Sequence, residues 1–147
     1  MTSVAISIKR LDPDMVLPHY AYPGDAGMDI CSAVDLVIPP LTRAFVPTGI
    51  ALDLPHGYAA FVLPRSGLAK KQGITILNSP GLIDSNYRGE IGVVLYNSDT
   101  AEDFVVKRFD RIAQLLIAPV PTISFQEVEN LSVTERNDGG FGSSGVA

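Results

Sequence analysis

The stretch Gly81-Leu82-Ile83-Asp84-Ser85-Asn86-Tyr87-Arg88-Gly89-Glu90 places an acid and an aromatic residue three positions apart between two glycine turns. This arrangement is more typical of a ligand pocket than of a hydrophobic core. Short apolar runs at 74–77 and 90–96 lie on either side, and both have the length and composition of β-strands. The stretch therefore predicts a loop that carries chemistry within a framework of short strands.

Proline and glycine interrupt the chain so often that few segments reach the length of an ordinary helix. Eleven prolines and thirteen glycines occur among 147 residues, and both residue types disrupt helix interiors. Many short strands with regular turns predict an all-β fold, a β-sandwich or barrel. The predicted strands are 4–9, 36–38, 43–46, 50–54, 58–63, 74–77, 90–96 and 123–128. One short helix is expected at 66–72, with Ser66 as its cap and Gly73 at its end.

Composition and charge restrict the classes of function. A chain of 147 residues is one domain by length, and 46% apolar with 18% charged residues is typical of a folded protein rather than a disordered one. The net charge of −5 argues against a protein that coats nucleic acid, since that role needs a net basic surface. We therefore expect no stable binding to nucleic acid.

The single cysteine and the lack of a signal or membrane segment indicate where in the cell the protein is expected. Cys31 is the single cysteine, so no internal disulfide is possible, and no zinc-ligand spacing is present. Residues 1–9 lack the basic and apolar pattern of a secretory signal. The uncharged run 112–126 contains two prolines and is shorter than the ~20 apolar residues of a membrane helix. We expect a cytoplasmic protein with no membrane segment.

Four further motifs accompany the stretch at 81–90 in a fixed order. They are Ala26-Gly27-Met28-Asp29-Ile30, Pro64-Arg65-Ser66-Gly67-Leu68-Ala69, Arg111-Ile112-Ala113-Gln114-Leu115-Leu116 and Arg136-Asn137-Asp138-Gly139-Gly140-Phe141-Gly142-Ser143-Ser144-Gly145. Together the five motifs resemble those of the trimeric dUTP diphosphatases (dUTPases), and the resemblance covers about residues 18–145. Any one motif alone is weak evidence, whereas five in order are specific.

The resemblance implies a fold, an activity and an assembly. The fold would be a jelly-roll β-sandwich or barrel with one short helix, assembled as a homotrimer with shared active sites. The activity would be Mg²⁺-assisted hydrolysis of dUTP to dUMP and pyrophosphate, which limits uracil in DNA and supplies dUMP for thymidylate synthesis. A jelly-roll domain at 1–136 would be followed by a flexible arm at 137–147 that closes over an active site. By composition alone, this glycine- and serine-rich arm is a disordered tail.

The segment 101–117 contains two conflicting signals. Four apolar residues recur there at helical spacing, which by itself predicts a helix. They are Val105, Phe109, Ile112 and Leu116. The resemblance instead implies two strands, 104–106 and 113–118, joined by a turn at Phe109-Asp110. We adopt the two strands.

Asp84 is the candidate catalytic residue. Read alone, Asp84-Ser85-Asn86 is a turn, because these residue types bond to their own backbone. By resemblance, Asp84 orients and deprotonates the water that attacks the α-phosphorus of dUTP, a role suited to a carboxylate ionised at pH 7. Tyr87 alone could pack on a sheet face, but the resemblance places its ring under the deoxyribose, where it excludes a 2′-hydroxyl. Asn86 stands where the family often has Asp, and that side chain is not the base.

A second set of residues is implied to hold the triphosphate. One part of this set is Arg65, Ser66 and Gly67. Taken alone, these residues predict a surface turn with a helix cap. By resemblance they would contact the phosphate chain, with Ser66 near the α–β bridging oxygen. Gln114 is an uncharged amide in an apolar strand, where a buried amide needs a partner, and the family uses this position for a phosphate contact. Arg136 matches the family's γ-phosphate ligand. A guanidinium suits this role because it is planar and permanently charged.

Recognition of the base is implied for a turn and for the arm. The Asn78 amide offers the donor and the acceptor that the imide edge of uracil requires, although the surrounding turn could be purely structural. In the family a hairpin here reads uracil largely through backbone groups and excludes the thymine methyl. In the arm, Phe141 can stack on a flat ligand, and Gly142, Ser143 and Ser144 complete the implied substrate contacts. Ser144 replaces the more usual Thr and keeps the hydroxyl.

Asp29 is the implied metal-site residue. Read alone it is a turn carboxylate, but the resemblance implies that it holds Mg²⁺ through water. Magnesium keeps several waters and needs few protein carboxylates when phosphates are present, so the lack of an acidic cluster does not argue against the metal. Its positive charge would reduce the repulsion between the triphosphate and an anionic nucleophile.

Two other functions remain open at this point. A dCTP deaminase shares the fold, but Asp84 together with Tyr87 and the phenylalanine arm favours the diphosphatase, and ammonia release from dCTP would distinguish the two. A catalytically silent jelly-roll module that binds a nucleotide or a protein is the other alternative. Such a module would have no use for Asp84, Arg65, Ser66 and Arg136 together.

Overall fold

A computed structural model of the chain describes residues 3–141 and 143–145, and in these residues it contains eleven short strands and one helix. The strands are β1 Ser7–Arg10, β2 Met28–Cys31, β3 Leu36–Ile38, β4 Arg43–Pro47, β5 Ile50–Asp53, β6 Tyr58–Leu63, β7 Ile74–Ile76, β8 Gly81–Ile83, β9 Gly92–Asn97, β10 Phe104–Val106 and β11 Arg111–Pro119, and the helix is α1 Ser66–Gln72. The expected all-β fold with one short helix is confirmed.

The strands pair antiparallel in four small sheets. The largest has the order β2-β11-β6-β8, a second has the order β4-β9-β7, and two strand pairs, β1-β5 and β3-β10, complete the set. Across the described residues these sheets do not close into a barrel. The four-stranded sheet matters most for function, because Asp29 and Gln114 lie on it and Arg65 and Asp84 follow closely from its strands.

One hydrophobic core joins the sheets. Strand β9 alternates half-buried and buried residues along its length, and β7 does the same, as expected for strands with one face in the core. Burial of each large aliphatic side chain stabilises the fold by about 1.5–3 kcal/mol. The largest fully buried side chains are Met15, Ile30, Ile38, Ile50, Ile74, Ile91, Leu95, Ile112, Leu115, Val46, Val93 and Val106.

The segment 101–117 forms two strands and not a helix. Strands β10 and β11 are joined by a turn in which Phe109 has a φ of 75° and donates its backbone N–H to the Ser32 carbonyl at 2.8 Å. The helical spacing is misleading because the residues that create it do not share a buried face: Val105 and Phe109 are exposed, whereas Ile112 is buried. Pairing with β3, β2 and β6 overrides the local pattern.

Helix α1 has the predicted bounds but not the predicted cap. The N-cap residue is Arg65, without a side-chain capping bond, and Ser66 is the first helical residue. The prediction that Ser66 caps the helix is therefore wrong. Gly73 ends the helix as predicted, in the left-handed conformation with φ 65°. A Cβ at this position would lie 2.6 Å from the Ser98 hydroxyl oxygen, so the turn requires glycine.

Beyond β11 the chain leaves the sheets. Residues 121–138 are exposed and form no strand, so the strand predicted at 123–128 is wrong. Ile123 is 63% and Phe125 is 96% exposed, because the described part of the same chain offers this apolar run no neighbouring strand. Two strands that the sequence did not indicate are β2, which carries Asp29, and β8, which Asp84 directly follows. Within the described residues no helix is long and apolar enough to cross a membrane.

Candidate functional site

The four-stranded sheet places the predicted site residues at two opposite ends of strand β6. At one end, Gln114 on β11 lies opposite both Asp29 on β2 and Leu63 on β6, and Arg65 follows Leu63 by two residues. At the other end, Ile83 on β8 lies opposite Ala60, so that Asp84, the next residue, lies beside Ala59 near the start of β6. The predicted residues therefore form two separate groups within one chain.

The first group contains a compact cluster of charges. Asp29 lies between two guanidinium groups, with Oδ1 at 3.2 Å from Arg65 Nε and Oδ2 at 3.2 Å from Arg111 Nη1. Arg65 Nη1 also donates to the Arg111 backbone carbonyl at 2.9 Å. The Asp29 side chain is only 15% exposed. The approach of Arg65 Nε is misdirected for a hydrogen bond, so Oδ1 is a buried acceptor with a cation beside it and no donor.

Cys31 lies opposite Arg111 in the pairing of β2 with β11. Burial, together with the nearby Asp29 carboxylate, raises the pKa of the Cys31 thiol. The thiol is therefore protonated at neutral pH and is a poor nucleophile. The cysteine contributes packing to this end of the sheet rather than chemistry.

The surroundings of this cluster leave room for a ligand. Ser66 and Gly67 are exposed at the start of α1, and a Cβ on Gly67 would meet nothing within 4 Å. A Cβ on Gly27 would lie 3.5 Å from the Gln114 side chain, so this glycine packs directly beside the amide. Two arginines against one carboxylate give the cluster a net positive charge, which suits an anionic ligand.

Asp84 lies at the second end, directly after β8, with an exposed side chain. Its carbonyl accepts the Tyr87 backbone N–H at 3.1 Å. The backbone of this motif therefore forms the turn that the residue types predict. The turn leaves the Asp84 side chain available for chemistry. The motif borders an open cavity of about 440 Å³. The cavity is lined by residues 56–59, 84–86 and 120–122.

Tyr87 is braced within the same loop. Its hydroxyl donates to the Glu90 carbonyl at 2.9 Å, and its ring occupies the space that a Cβ on Gly89 would need. The ring is 46% exposed, so Tyr87 is not a core packing residue. Arg88 donates to the Ser85 and Tyr87 carbonyls and forms an ion pair with Asp53, which ties the loop to β5.

Asn78 lies in the turn between β7 and β8 and is exposed. The turn leads into Gly81, where a Cβ would lie 3.2 Å from Val62 Cβ and 3.8 Å from Asn78 Nδ2. Glycine at this position allows β8 to approach β6 closely and keeps the amide beside the strand. Asn78, Asp84 and Tyr87 thus belong to one continuous segment.

The arm does not contact either group through the hydrogen bonds of its described residues. Arg136 Nε donates to the Gly139 carbonyl at 2.8 Å, and Ser143 N–H donates to the Gly140 carbonyl at 3.0 Å. Phe141 is fully exposed and Ser144 is exposed. Gly142, another predicted contact, lies outside the described residues.

Arg111 belongs to the charged cluster, although the sequence predicted no role for it. Its signal was a cation at the start of a strand, three residues before Gln114. In the described part of the chain, no group of three or more His, Cys, Asp or Glu side chains could hold a metal ion. Any divalent ion near Asp29 would thus need ligands other than a protein cage.

Comparison with known proteins gives a consistent result. A family model described as dUTPase matches residues 14–145. The deoxyuridine 5′-triphosphate nucleotidohydrolase of Thermobifida fusca is 54% identical over 143 residues, which are 97% of this chain and 80% of the relative. The protein of the same name from Gloeobacter violaceus is 54% identical over 147 residues, covering 99% of both chains.

Solved structures agree in fold. A mutant dUTPase of Staphylococcus bacteriophage 80alpha with dUpNHpp superposes with a TM-score of 0.90 at 30% identity, over 98% of this chain and 100% of the other. A mutant dUTPase from phage phi11 of S. aureus, described as showing the coordination of a structural Mg(II) ion, gives a TM-score of 0.81 at 25% identity. That match covers 88% of this chain and 100% of the phage chain.

Proposed function

This chain belongs to the dUTPase family and hydrolyses dUTP to dUMP and pyrophosphate, and we propose that Asp84 is the general base of that reaction. The observation that carries the proposal is the exposed Asp84 side chain in a loop that borders an open cavity. Asp84 takes a proton from a water, which attacks the α-phosphorus as pyrophosphate leaves. General base catalysis of this kind contributes about 10²–10⁴ to the rate.

The charged end of the sheet binds the phosphate chain. Arg65, Ser66 and Gly67 contact it at the start of α1, where the backbone is accessible and the net charge of the cluster is positive. Gln114 donates its amide from the adjacent strand. Such donors stabilise the charge that develops on the oxygens of the leaving pyrophosphate.

The loop at the other end selects the sugar and the base. The Tyr87 ring, held through the Glu90 carbonyl, lies under the deoxyribose and leaves no space for a 2′-hydroxyl. Asn78 and the neighbouring backbone read the imide edge of uracil. Cytosine presents the reversed donor and acceptor pattern, and a site with unpaired buried groups can reject it by up to about 10⁴.

The two groups cannot act on the same dUTP within one chain. Asp84 lies beside Ala59 by extension of the β6–β8 register, and Ala59 is six residues from Arg65 along an extended segment. At about 3.3 Å per residue the two ends are about 20 Å apart, which a base and its phosphate ligands cannot bridge. A homotrimer with shared sites resolves this separation, because a cyclic arrangement brings one end of β6 to the opposite end in a neighbour.

Exposed apolar residues support such an assembly. Ile123, Phe125, Leu131 and Val133 are all more than 60% exposed in the single chain. A run of large apolar side chains on a segment without strand partners is typical of a surface that packs against another copy. The arm beyond this segment then reaches a neighbour's site, where Arg136, Ser143 and Ser144 contact phosphate and Phe141 stacks on the base.

Magnesium fits this site as an ion held through water. Asp29 Oδ1 is a buried carboxylate oxygen that accepts no hydrogen bond, so it can accept one from a metal-bound water. When bound, the ion neutralises part of the triphosphate charge and polarises the phosphoryl oxygens. Asp29 is the residue of this chain that would hold the ion, through a metal-bound water, and phosphate oxygens and waters would supply the direct ligands.

The setting of the reaction is the deoxynucleotide pool of the cytoplasm. There the enzyme limits uracil incorporation into DNA and supplies dUMP for thymidylate synthesis.

A single assay tests the function against its alternatives. Pyrophosphate release is measured with dUTP, dTTP, dCTP and UTP, with Asp84→Asn as the control for a contaminating phosphohydrolase. Release from dUTP alone supports the proposal. Ammonia is measured in the same dCTP reactions, where its release would point to a deaminase, and no turnover of any nucleotide would point to a binding module.

A further inference from the structure

We propose that Arg111 is a positioning residue for Arg65, which it holds in place through Asp29 and through its own backbone carbonyl. The inference rests on the proposed role of Arg65 as a phosphate ligand and adds a residue to the same site. Three contacts carry it, and together they form a closed ring. Arg111 Nη1 donates to Asp29 Oδ2, Asp29 Oδ1 faces Arg65 Nε, and Arg65 Nη1 donates to the Arg111 carbonyl.

The three members of the ring come from three different segments. Asp29 belongs to β2, Arg111 begins β11, and Arg65 joins β6 to α1. The guanidinium of Arg65 is therefore held by the ion pair with Asp29 and by the hydrogen bond from Nη1, and its Nη2 amino group is left for the phosphate. A long side chain with several rotatable bonds normally loses much freedom when it binds a ligand. Here the ring has ordered it in advance.

Local backbone geometry explains why Arg111 can reach Asp29. Arg111 lies opposite Cys31 and Ala113 lies opposite Ile30, so the register of β11 against β2 shifts between Arg111 and Ala113. In a regular strand, residues three apart point to opposite faces. The extra residue of a β-bulge restores a common face, so Arg111 joins Gln114 on the side of Asp29. The bulge is what brings the two ends of the motif together.

Charge explains why a second arginine is useful. With Arg65 alone, Asp29 would form a one-to-one ion pair and neutralise the ligand-binding cation. Arg111 shares the carboxylate and leaves the cluster with a net positive charge. The side chains are 15% exposed for Asp29, 24% for Arg65 and 58% for Arg111. The shared carboxylate is thus the most shielded member, and Arg111 closes the cluster on the solvent side.

A double-mutant cycle tests the proposal. Arg65→Ala, Arg111→Ala and the double variant are compared with the unsubstituted enzyme in kcat and KM for dUTP. Binding of the non-hydrolysable imido analogue of dUTP is measured for the same set in an Asp84→Asn background. We expect Arg111→Ala to weaken analogue binding and raise KM about tenfold with a smaller change in kcat, which is within the range for a lost charge-assisted hydrogen bond. In the Arg65→Ala background, Arg111→Ala should have a much smaller further effect.

Two further variants separate positioning from simple structural support. Arg111→Lys keeps a cation that can reach Asp29 and should recover much of the loss. Arg43→Ala removes an exposed arginine from β4, in a different sheet, and should leave KM unchanged. A loss from Arg111→Ala that is equal in both backgrounds would overturn the proposal, because Arg111 would then act independently of Arg65. An unchanged KM for Arg111→Ala would overturn it as well.

The outcomes also separate this inference from the proposed function. If the unsubstituted enzyme does not hydrolyse dUTP, the proposed function fails, while the cycle on analogue binding still reports whether Arg111 acts through Arg65. If Arg65→Ala leaves binding and KM unchanged, the positioning role is overturned, and the role of Asp84 as base is unaffected.

Discussion

The Tyr87 hydroxyl donates a hydrogen bond of 2.9 Å to the Glu90 backbone carbonyl, across a turn that Gly89 keeps free of side-chain atoms. This bond fixes the tilt of the aromatic ring from within its own loop. Glu90 is held in turn, because its carboxylate accepts the Gly49 backbone N–H at 2.8 Å. The ring that is proposed to face the sugar is therefore anchored through the turn that precedes β5 rather than left to rotate.

Replacement of Tyr87 should relax sugar selection. Tyr87→Ala opens space beside C2′, so we expect the ratio of kcat/KM for dUTP over UTP to fall, with rejection of dTTP intact because the base is read elsewhere. Tyr87→Phe is the matched control, since it keeps the ring and removes only the bond to Glu90, and its ratio should lie much closer to that of the unsubstituted enzyme. An unchanged ratio in Tyr87→Ala would mean that the ring does not define the sugar pocket.

Asp84→Asn should separate binding from chemistry. The amide preserves size but cannot accept the proton of the attacking water, so turnover should fall by about 10²–10⁴. Affinity for the imido analogue should change little, which calorimetry can measure. Turnover near that of the unsubstituted enzyme would exclude Asp84 as the base.

Removal of the arm should leave the fold intact. A chain that ends at Arg136 loses Phe141 and the arm's phosphate donors but no buried core residue, so its melting curve should match that of the full chain while activity falls severely. A chain that ends at Val120 is the contrasting variant. It also loses Ile123 and Phe125, and we expect that it will not form the proposed trimer in sedimentation experiments. Unfolding of the first variant would show that the arm is structural.

Mixed trimers should recover activity from two inactive parents. Asp84→Asn and the arm deletion are refolded together in equal amounts. In a cyclic trimer whose sites combine Asp84 of one subunit with the arm of another, each mixed trimer has one intact site. About three-quarters of random trimers are mixed, so roughly one-quarter of normal activity should return. No recovery, with mixed trimers confirmed by native mass measurement, would mean that both elements serve their own chain.

Asn97 should be important for stability although it lies outside the site. The residue is fully buried, its Nδ2 donates to the Ile38 and Glu102 carbonyls, and its Oδ1 accepts the Asp99 N–H at 3.0 Å. Asn97→Ala leaves these groups unpaired, and the free energy of unfolding should fall by about 2–3 kcal/mol. Urea unfolding measures the change. Asn97→Asp, which replaces the donor by an acceptor, should also destabilise the fold.

The sequence predicted strands correctly where turn residues bounded a short run of strand-forming residues. Tyr58–Leu63 and Leu36–Ile38 were predicted with their observed bounds, because each is a short β-favouring run between turn residues. At 101–117 the local pattern indicated a helix, and only the family resemblance led to the two strands that pairing imposes. At 123–128 the residues favour a strand, but no neighbouring strand is available to them in the described part of the single chain.

The site was predictable as a set of residues but not as an arrangement. The motif at 81–90 identified Asp84 and Tyr87, whose roles remain predictions. The bond that braces Tyr87 through Glu90 has no signature in the sequence. The role proposed for Arg111 was missed for a related reason: it depends on a β-bulge, which changes the face of one residue without changing the composition of its strand. The separation of Asp84 from Arg65 likewise follows from strand register.

That separation has a consequence for how activity depends on protein concentration. If Asp84 and Arg65 meet only across subunits, a newly made chain is inert until it encounters two others, and its output rises more steeply than its abundance at low expression. Dilution of the protein would then lower the activity per chain. After mixing, the lag before steady turnover would report the rate of trimer assembly. The length of strand β6 would thus set a minimum protein concentration. Below it the chains would be present but unassembled, and therefore inactive.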